Sequence, residues 1–228
     1  MADNKDLQHV GIIMDGNRRW AKSQGLSPEI GHEEGARRIE PLVEEAVKNK
    51  VKFLTFYSFS TENWKRSPFE VQKILQVFRT MLYDTTVDRL QEKGVKVNII
   101  GSYKAFPSDI VQRVEEIHEM SKKNDVITVN FALNYGGRDE IIRAVSCLVE
   151  KKEKVTEKSL AELLDTSNQP DPDLIIRTGG ERRLSNFLTW QSVYSELYFT
   201  DVLWPVFTPQ EFQNAVSWYK ERERRFGS

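Results

Sequence analysis

Short apolar runs rich in β-branched and aromatic residues alternate with longer segments of helical periodicity along the whole chain. That is the pattern of βαβ units around a mainly parallel sheet. Six runs read as strands: Val10–Met14, Phe53–Phe59, Val95–Ile100, Ile127–Leu133, Leu174–Ile176 and Leu197–Phe199. Between them, apolar residues recur at three- and four-residue spacing over Glu33–Asn49, Pro68–Gln91, Pro107–Lys122, Arg138–Glu150, Glu157–Leu164 and Pro209–Arg225, which predicts helices. Pro68, Pro107 and Pro209 stand at first turns, where a missing N–H is tolerated. The predicted fold class is α/β, a central six-stranded, mainly parallel sheet flanked by helices. No segment repeats, and Asp165–Asp173 (DTSNQPDPD) reads as a turn into the fifth strand, so residues 1–228 form a single domain.

Charge adds little to this picture. Lys plus Arg total 33 against 34 for Asp plus Glu, a net charge of −1, so nothing global points to nucleic acid and any basic site must be local. Cys147, the single cysteine, lies in the apolar helical pattern AVSCLV; it excludes an internal disulfide and reads as a buried structural thiol in a reducing cytoplasm. The N-terminal MADNKDLQ has no apolar targeting core, and no run approaches the ~18 apolar residues of a membrane span. The expectation is a cytoplasmic protein that meets a membrane peripherally, if at all.

Four polar constellations fall at the ends of predicted strands, where open α/β sheets bind ligands. The first, Asp15–Trp20 (DGNRRW), follows VGIIM directly and delivers one carboxylate and two guanidiniums to a helix start. Aspartate suits Mg²⁺, Arg18 and Arg19 suit phosphate oxygens, Gly16 admits a close backbone approach, and Asn17 can cap the helix. The bland alternative is a strand-to-helix turn with surface arginines. The second, Ser58–Arg66 (SFSTENWKR), gathers hydroxyls, a carboxylate, an amide, an indole and a guanidinium, and a capping box explains part of it. In the third, Arg177–Phe187 (RTGGERRLSNF), Gly179 and Gly180 free the backbone while Arg177, Arg182, Arg183 and Ser185 offer phosphate donors. It is not a Walker loop, and a basic surface hairpin is the alternative. The fourth is Glu196 in SVYSELYF, expected at the mouth of the last strand as a second metal ligand beside Asp15.

In this order, and across nearly the whole chain, DGNRRW, the STENW segment, RTGGERRLSNF and SELYF resemble the cis-prenyltransferases, in particular bacterial undecaprenyl diphosphate synthases and isoprenyl transferases. The resemblance implies a homodimer with an elongated apolar tunnel in each subunit. It also implies Mg²⁺-dependent, cis-selective condensation of isopentenyl diphosphate onto an allylic diphosphate such as farnesyl diphosphate. The implied product is a long-chain polyprenyl diphosphate such as undecaprenyl diphosphate, a lipid-carrier precursor for cell-wall synthesis. Position by position, Asp15 is the essential acid, and Gly16, Asn17, Arg18, Arg19, Trp20 and His32 line the allylic site. Ser60, Thr61, Glu62, Trp64 and Arg66 match a second substrate-contacting segment, and Arg177, Arg183, Leu184 and Ser185 the isopentenyl diphosphate pocket. Glu196 matches a shared Mg²⁺ ligand, and Arg225–Gly227 an RxG signature associated with the neighbouring subunit's site. A solvated, dipole-favoured helix end explains Arg222–Arg225 equally well.

Two positions depart from the common bacterial pattern: Arg18 stands where Gly is usual, and Pro28 where a basic residue is usual. Arg18 is expected to supply the lost charge. Asn63 occupies the position to which the family assigns proton loss, but a carboxamide is a very weak base. Asn63 is therefore expected to orient or relay while a diphosphate oxygen or a carboxylate accepts the proton. His32 reads on chemistry alone as a cap or surface residue and by resemblance as a diphosphate donor, while His9 and His118 read as structural.

Val71, Ile74, Leu75, Phe78, Met81 and Leu82 form an apolar stripe on the helix predicted over Pro68–Gln91, and one side of it could face an isoprenoid. Burial at about 0.8 kcal/mol per carbon would hold a fifteen-carbon chain by at most ~12 kcal/mol before ordering costs, which makes product release a candidate slow step. Ser58 and Ile127 are the expected influences on product length. Competing readings are a short- or medium-chain cis-prenyl synthase, a non-catalytic prenyltransferase-like partner subunit, and a phosphatase using Asp15. The last would want a carboxylate where Asn17 stands.

Overall fold

The computed structural model describes residues 6–65, 68–83 and 85–222. All six predicted strands form: β1 (His9–Ile13), β2 (Phe53–Ser60), β3 (Val95–Ile100), β4 (Ile127–Tyr135), β5 (Leu174–Arg177) and β6 (Glu196–Phe199). They build one sheet in the order β3-β4-β2-β1-β5-β6, and every neighbouring pair is parallel. All residues of β1 and β5 are buried, as expected of parallel strands covered on both faces.

The helices are α1 (Asn17–Ser23), α2 (Pro28–Ala36), α3 (Ile39–Lys48), α4 (Pro68–Tyr83), α5 (Thr85–Glu92), α6 (Ser108–Ser121), α7 (Gly137–Glu150), α8 (Glu157–Ala161) and α9 (Pro209–Lys220). Short 3-10 turns occupy Thr61–Lys65, Tyr103–Ala105 and Trp204–Val206. One predicted helix is divided. Glu33–Asn49 breaks after Ala36 because Pro41 has no N–H to donate; α3 restarts at Ile39, which puts Pro41 in a first turn, where that N–H is not needed. The described residues of Pro68–Gln91 are helical as predicted, in α4 and α5. Pro107 caps α6 from outside, with extended backbone, instead of occupying its first turn.

The main core packs Val10, Ile12, Leu54, Phe56 and Val129 of the sheet against Leu42 and Ala46 of α3, Val114 and Ile117 of α6, and Phe212 and Val216 of α9. A smaller cluster joins Ile13, Ile100, Tyr135, Ile175 and Phe187, with Tyr57 at its edge. His9, Thr55 and Asn130 inside the sheet satisfy one another. His9 Nδ1 donates to the Pro170 carbonyl at 2.7 Å and Nε2 accepts from Thr55 Oγ1 at 2.8 Å, while Asn130 donates to Thr55 and to Gln169. Burial pushes the His9 pKa down to about 4. The thiol of Cys147 is half-buried, less enclosed than its pattern suggested.

This topology places the site. From β1 the sheet extends one way through β2, β4 and β3, and the later strands β5 and β6 lie on the other side of β1. β1 and β5 therefore flank the point where the winding reverses, and a crevice beyond their carboxyl ends is the general ligand position of such sheets.

Candidate active site

Asp15 stands just past the end of β1, fixed by its backbone. Its N–H donates to the Ile13 carbonyl and to Thr178 Oγ1, both at 3.0 Å, and Thr178 Oγ1 donates back to the Asp15 carbonyl at 2.7 Å. Gly16 follows with φ +118°, a left-handed conformation that turns the chain into α1. A Cβ there would lie 2.9 Å from Leu203 Cδ2, so glycine is also required for space. Gly16, not Asn17, is thus the N-cap residue of α1, and Asn17 is already helical. The Asn17 amide instead donates to His32 Nδ1 at 3.4 Å, which leaves the other ring nitrogen of His32 to carry its proton. Gly31 and Gly35 bring α2 directly onto this turn: a Cβ at Gly31 would lie 2.3 Å from the Asn17 carbonyl oxygen.

Two guanidiniums hold the Asp15 carboxylate. Arg19 Nη2 donates to Oδ1 at 2.9 Å, and its Nη1 donates to the Gly179 carbonyl at 2.6 Å. Arg177, at the end of β5 and only 4% exposed, donates from Nη2 to Asp15 Oδ2 at 3.0 Å. Its Nη1 donates to Ser185 Oγ at 2.8 Å and to the Arg183 carbonyl. The backbone at Gly179 (φ +82°), Gly180 (φ +81°), Ser185 (φ +52°) and Asn186 (φ +67°) is left-handed, so the loop after β5 coils back over the end of β1.

Above these residues opens a cavity of about 670 Å³ with a polar mouth and an apolar interior. Of the predicted site residues, Asp15, Gly16, Asn17, Arg18, Arg19, His32, Ser60, Asn63, Arg177 and Ser185 line it. Pro28 lines it too. The interior is walled by Ile39, Phe59, Val77, Phe78, Met81 and Trp204, among others. A narrow second cavity of about 30 Å³ shares Ser58, Phe78 and Met81 with the first and continues between Val97, Ile99, Ile117, Phe131 and Leu133. The stripe on α4 thus faces both core and cavity. Ser58 lies where expected, whereas Ile127 lines neither cavity and is buried at the start of β4.

Other predicted residues stand back from the cavity. Trp64 donates to Asn134 Oδ1 at 2.6 Å and packs edge-on against Phe59, and Thr61 donates to Glu62. Glu62 accepts from Asn186 Nδ2 at 2.9 Å, a bond that ties the second polar segment to the third. Arg183 pairs with Glu181 and is exposed, while Leu184 packs on the Tyr57–Phe187 cluster. Trp20 is not among the lining residues. Arg66 and the Arg225–Gly227 motif lie outside the described residues. Asn63 Oδ1 accepts the Ser60 N–H at 3.1 Å, so the carboxamide is held by the backbone at the cavity wall.

One expectation is overturned. Glu196 opens β6 and is level with Leu174 and Val10, whereas Ile13 is level with Arg177 and Phe199. Because the strands are parallel, Glu196 lies at the amino edge of the sheet and Asp15 beyond its carboxyl edge. The three residues from Val10 to Ile13 alone set them about 10 Å apart along the strands, before the turn to Asp15 adds more, and two strand spacings add about 10 Å across the sheet. The two carboxylates of one chain therefore do not share an ion; Glu196 accepts instead from Arg222 Nε at 3.3 Å. Among the described residues no group of three or more acidic, His or Cys side chains could hold a metal. Asp15 alone nevertheless suits Mg²⁺, which takes one or two carboxylates and completes its shell with substrate phosphates and water.

Sequence reasoning did not assign Thr178, Tyr57 or Asn186. Thr178 and Asn186 sit inside the RTGGERRLSNF motif, but their contacts become visible only once the loop is folded. Tyr57 lies in an apolar strand run and carried no signal.

Residues 13–227 match the family described as "Putative undecaprenyl diphosphate synthase". The isoprenyl transferase of Thermotoga maritima is 46% identical over 225 residues, covering 96% of each chain. That of Aquifex pyrophilus is 45% identical over 221 residues, covering 96% of this chain and 95% of its own. Among solved structures, lavandulyl diphosphate synthase from Lavandula x intermedia, in complex with dimethylallyl diphosphate, superposes with a TM-score of 0.89 at 31% identity over 97% of this chain and 98% of that one. A probable undecaprenyl diphosphate synthase from Campylobacter jejuni superposes with a TM-score of 0.85 at 33% identity, covering 98% of this chain and all of that one. With a matching profile over nearly its whole length and relatives of this similarity, the chain belongs to the undecaprenyl diphosphate synthase family of isoprenyl transferases and is a prenyltransferase.

Proposed function

We propose that the chain elongates an allylic diphosphate such as farnesyl diphosphate by successive cis condensations with isopentenyl diphosphate to a long polyprenyl diphosphate. The carrying observation is one carboxylate, Asp15, held between Arg19 and Arg177 at the polar mouth of an apolar cavity. In each condensation the allylic carbon–oxygen bond breaks, the isopentenyl double bond supplies the electrons of the new carbon–carbon bond, and a proton leaves the resulting cation. Arg18, Arg19 and the start of α1 face the departing diphosphate, with charge placed in advance where it develops. Arg177 and Ser185 hold the isopentenyl diphosphate, which fixes the pose of its double bond. Asn63, held by the Ser60 N–H, orients the proton's path to a diphosphate oxygen or a carboxylate. Asp15 would hold Mg²⁺, which when bound stabilises the charge on the leaving diphosphate.

A homodimer fits the exposed apolar residues Ile142 and Val149 of α7 and Leu197 on the edge strand β6. No helix among the described residues is long and apolar enough to cross a membrane, so contact with the bilayer that receives a long product would be peripheral.

The constriction at Ser58, Phe78 and Met81 favours a second reading, a short- or medium-chain product. The likeness to lavandulyl diphosphate synthase points the same way. Incubation with isopentenyl diphosphate, Mg²⁺ and allylic primers of increasing length, followed by product-length analysis, tests both. Long products support the first reading, products of two to four units the second, and release of inorganic phosphate without chain growth neither.

A further inference from the structure

Tyr57 reaches the loop after β5 from the far side of β1. Its hydroxyl donates to the Ser185 carbonyl at 3.1 Å and approaches the Tyr135 carbonyl at 3.4 Å. Its ring stacks on Phe187, with centroids 4.7 Å apart and planes 23° from parallel. Phe187 in turn is seated over Gly11 in the middle of β1, where an added Cβ would lie 3.0 Å from Phe187 Cε1. Ser185, Asn186 and Leu188 all have positive φ, at +52°, +67° and +44°. Such backbone is disfavoured for residues with side chains and persists only where the surroundings impose it. Ser185 is also the residue whose Oγ accepts from Arg177 Nη1.

We propose that Tyr57 is a positioning residue for the homoallylic diphosphate. Through the Ser185 carbonyl and the Phe187 ring it holds the loop in its left-handed course, and so sets where Ser185 Oγ and the Arg177 guanidinium present their donors. The inference rests on the assignment of Arg177 and Ser185 to isopentenyl diphosphate. Burial pushes the phenol pKa up, so the hydroxyl remains a donor across the working pH range.

Tyr57→Phe removes the one hydroxyl and keeps the stack. It is expected to raise the KM for isopentenyl diphosphate about fivefold, the scale of one lost hydrogen bond, while kcat and the allylic KM stay within twofold. Gly11→Ala, which touches neither substrate, is expected to shift the same KM in the same direction by displacing Phe187. Calorimetric titration of each variant with isopentenyl diphosphate alone reads the same affinity without turnover. A chain that binds isopentenyl diphosphate but does not elongate would sink the proposed function and leave this inference readable. If Tyr57→Phe retains wild-type affinity and KM for isopentenyl diphosphate, or if both substrates' KM values rise equally, the positioning role is overturned. Because Tyr57→Phe keeps the packing, a thermal melt within a few degrees of wild type confirms that the fold is intact; should it melt early, Gly11→Ala decides between the same two outcomes.

Discussion

Arg177 and Asp15, at the ends of the adjacent parallel strands β5 and β1, are joined by a 3.0 Å hydrogen bond from Nη2 to Oδ2. The other terminal nitrogen of the same guanidinium holds Ser185. One buried side chain therefore joins the carboxylate and the hydroxyl that we propose serve the allylic and the isopentenyl diphosphate. Arg177→Lys keeps the charge but cannot present two planar donors at once. It is expected to lower kcat/KM by about a hundredfold or more, the scale of a lost preorganised donor. A loss below threefold in steady-state assays would separate the two half-sites.

Arg18 and Pro28 line the same cavity. If Arg18 supplies the charge that a basic residue at position 28 would bring, Arg18→Ala raises the allylic KM by about three- to tenfold, the scale of an exposed charge–phosphate contact. The isopentenyl KM should not move. Unchanged allylic KM would end the compensation idea.

Met81 and Phe78 of α4 and Ser58 of β2 separate the large cavity from the small one. Met81→Ala should join the two and shift products to longer chains, read by chromatography of the dephosphorylated alcohols. Ile127, which lines neither cavity, should leave product length unaltered when replaced by Val. A length shift with Ile127→Val and none with Met81→Ala would reverse this assignment.

His9 is neutral in the folded state down to about pH 4, while the unfolded chain takes up its proton near the ordinary value of 6.5. Proton uptake by the unfolded state alone means that stability contributed by His9 is present above pH 6.5 and lost as pH falls towards 4. The loss amounts to roughly 2.5 kcal/mol at pH 4.5. Urea unfolding of wild type and His9→Gln at pH 7 and pH 4.5 checks it: the variant should lose less stability on acidification by about that amount.

Much of the architecture was legible in the sequence because the strand signals are local. Each of the six apolar runs forms a strand whose ends lie within two residues of the predicted ones. Helix division at Arg37–Arg38 was readable from Pro41, but the periodic pattern ran through it. The pocket residues Asp15, Arg177 and Ser185 stood out because each belongs to a polar segment at a strand end and carries metal- or phosphate-binding chemistry. Glu196 was misplaced for a related reason: a polar residue beside a short apolar run marks a strand boundary without telling which edge of the sheet it occupies. Only the register with Leu174 decides that. Tyr57 and Thr178 reach backbone atoms, and Asn186 a carboxylate, of distant segments, contacts to which no spacing rule applies.

The most direct measurement is incorporation of labelled isopentenyl diphosphate into prenyl products by wild type and Asp15→Asn, with farnesyl diphosphate and Mg²⁺ present. Asparagine keeps the shape and one acceptor oxygen but removes the charge held by Arg19 and Arg177. Wild type should build cis-prenyl chains, and the variant, folded and melting near wild type, should be slower by a hundredfold or more, about 3 kcal/mol of lost charge stabilisation. Failure of the wild-type chain to elongate, or equal rates in the two proteins, would contradict a mechanism centred on this carboxylate.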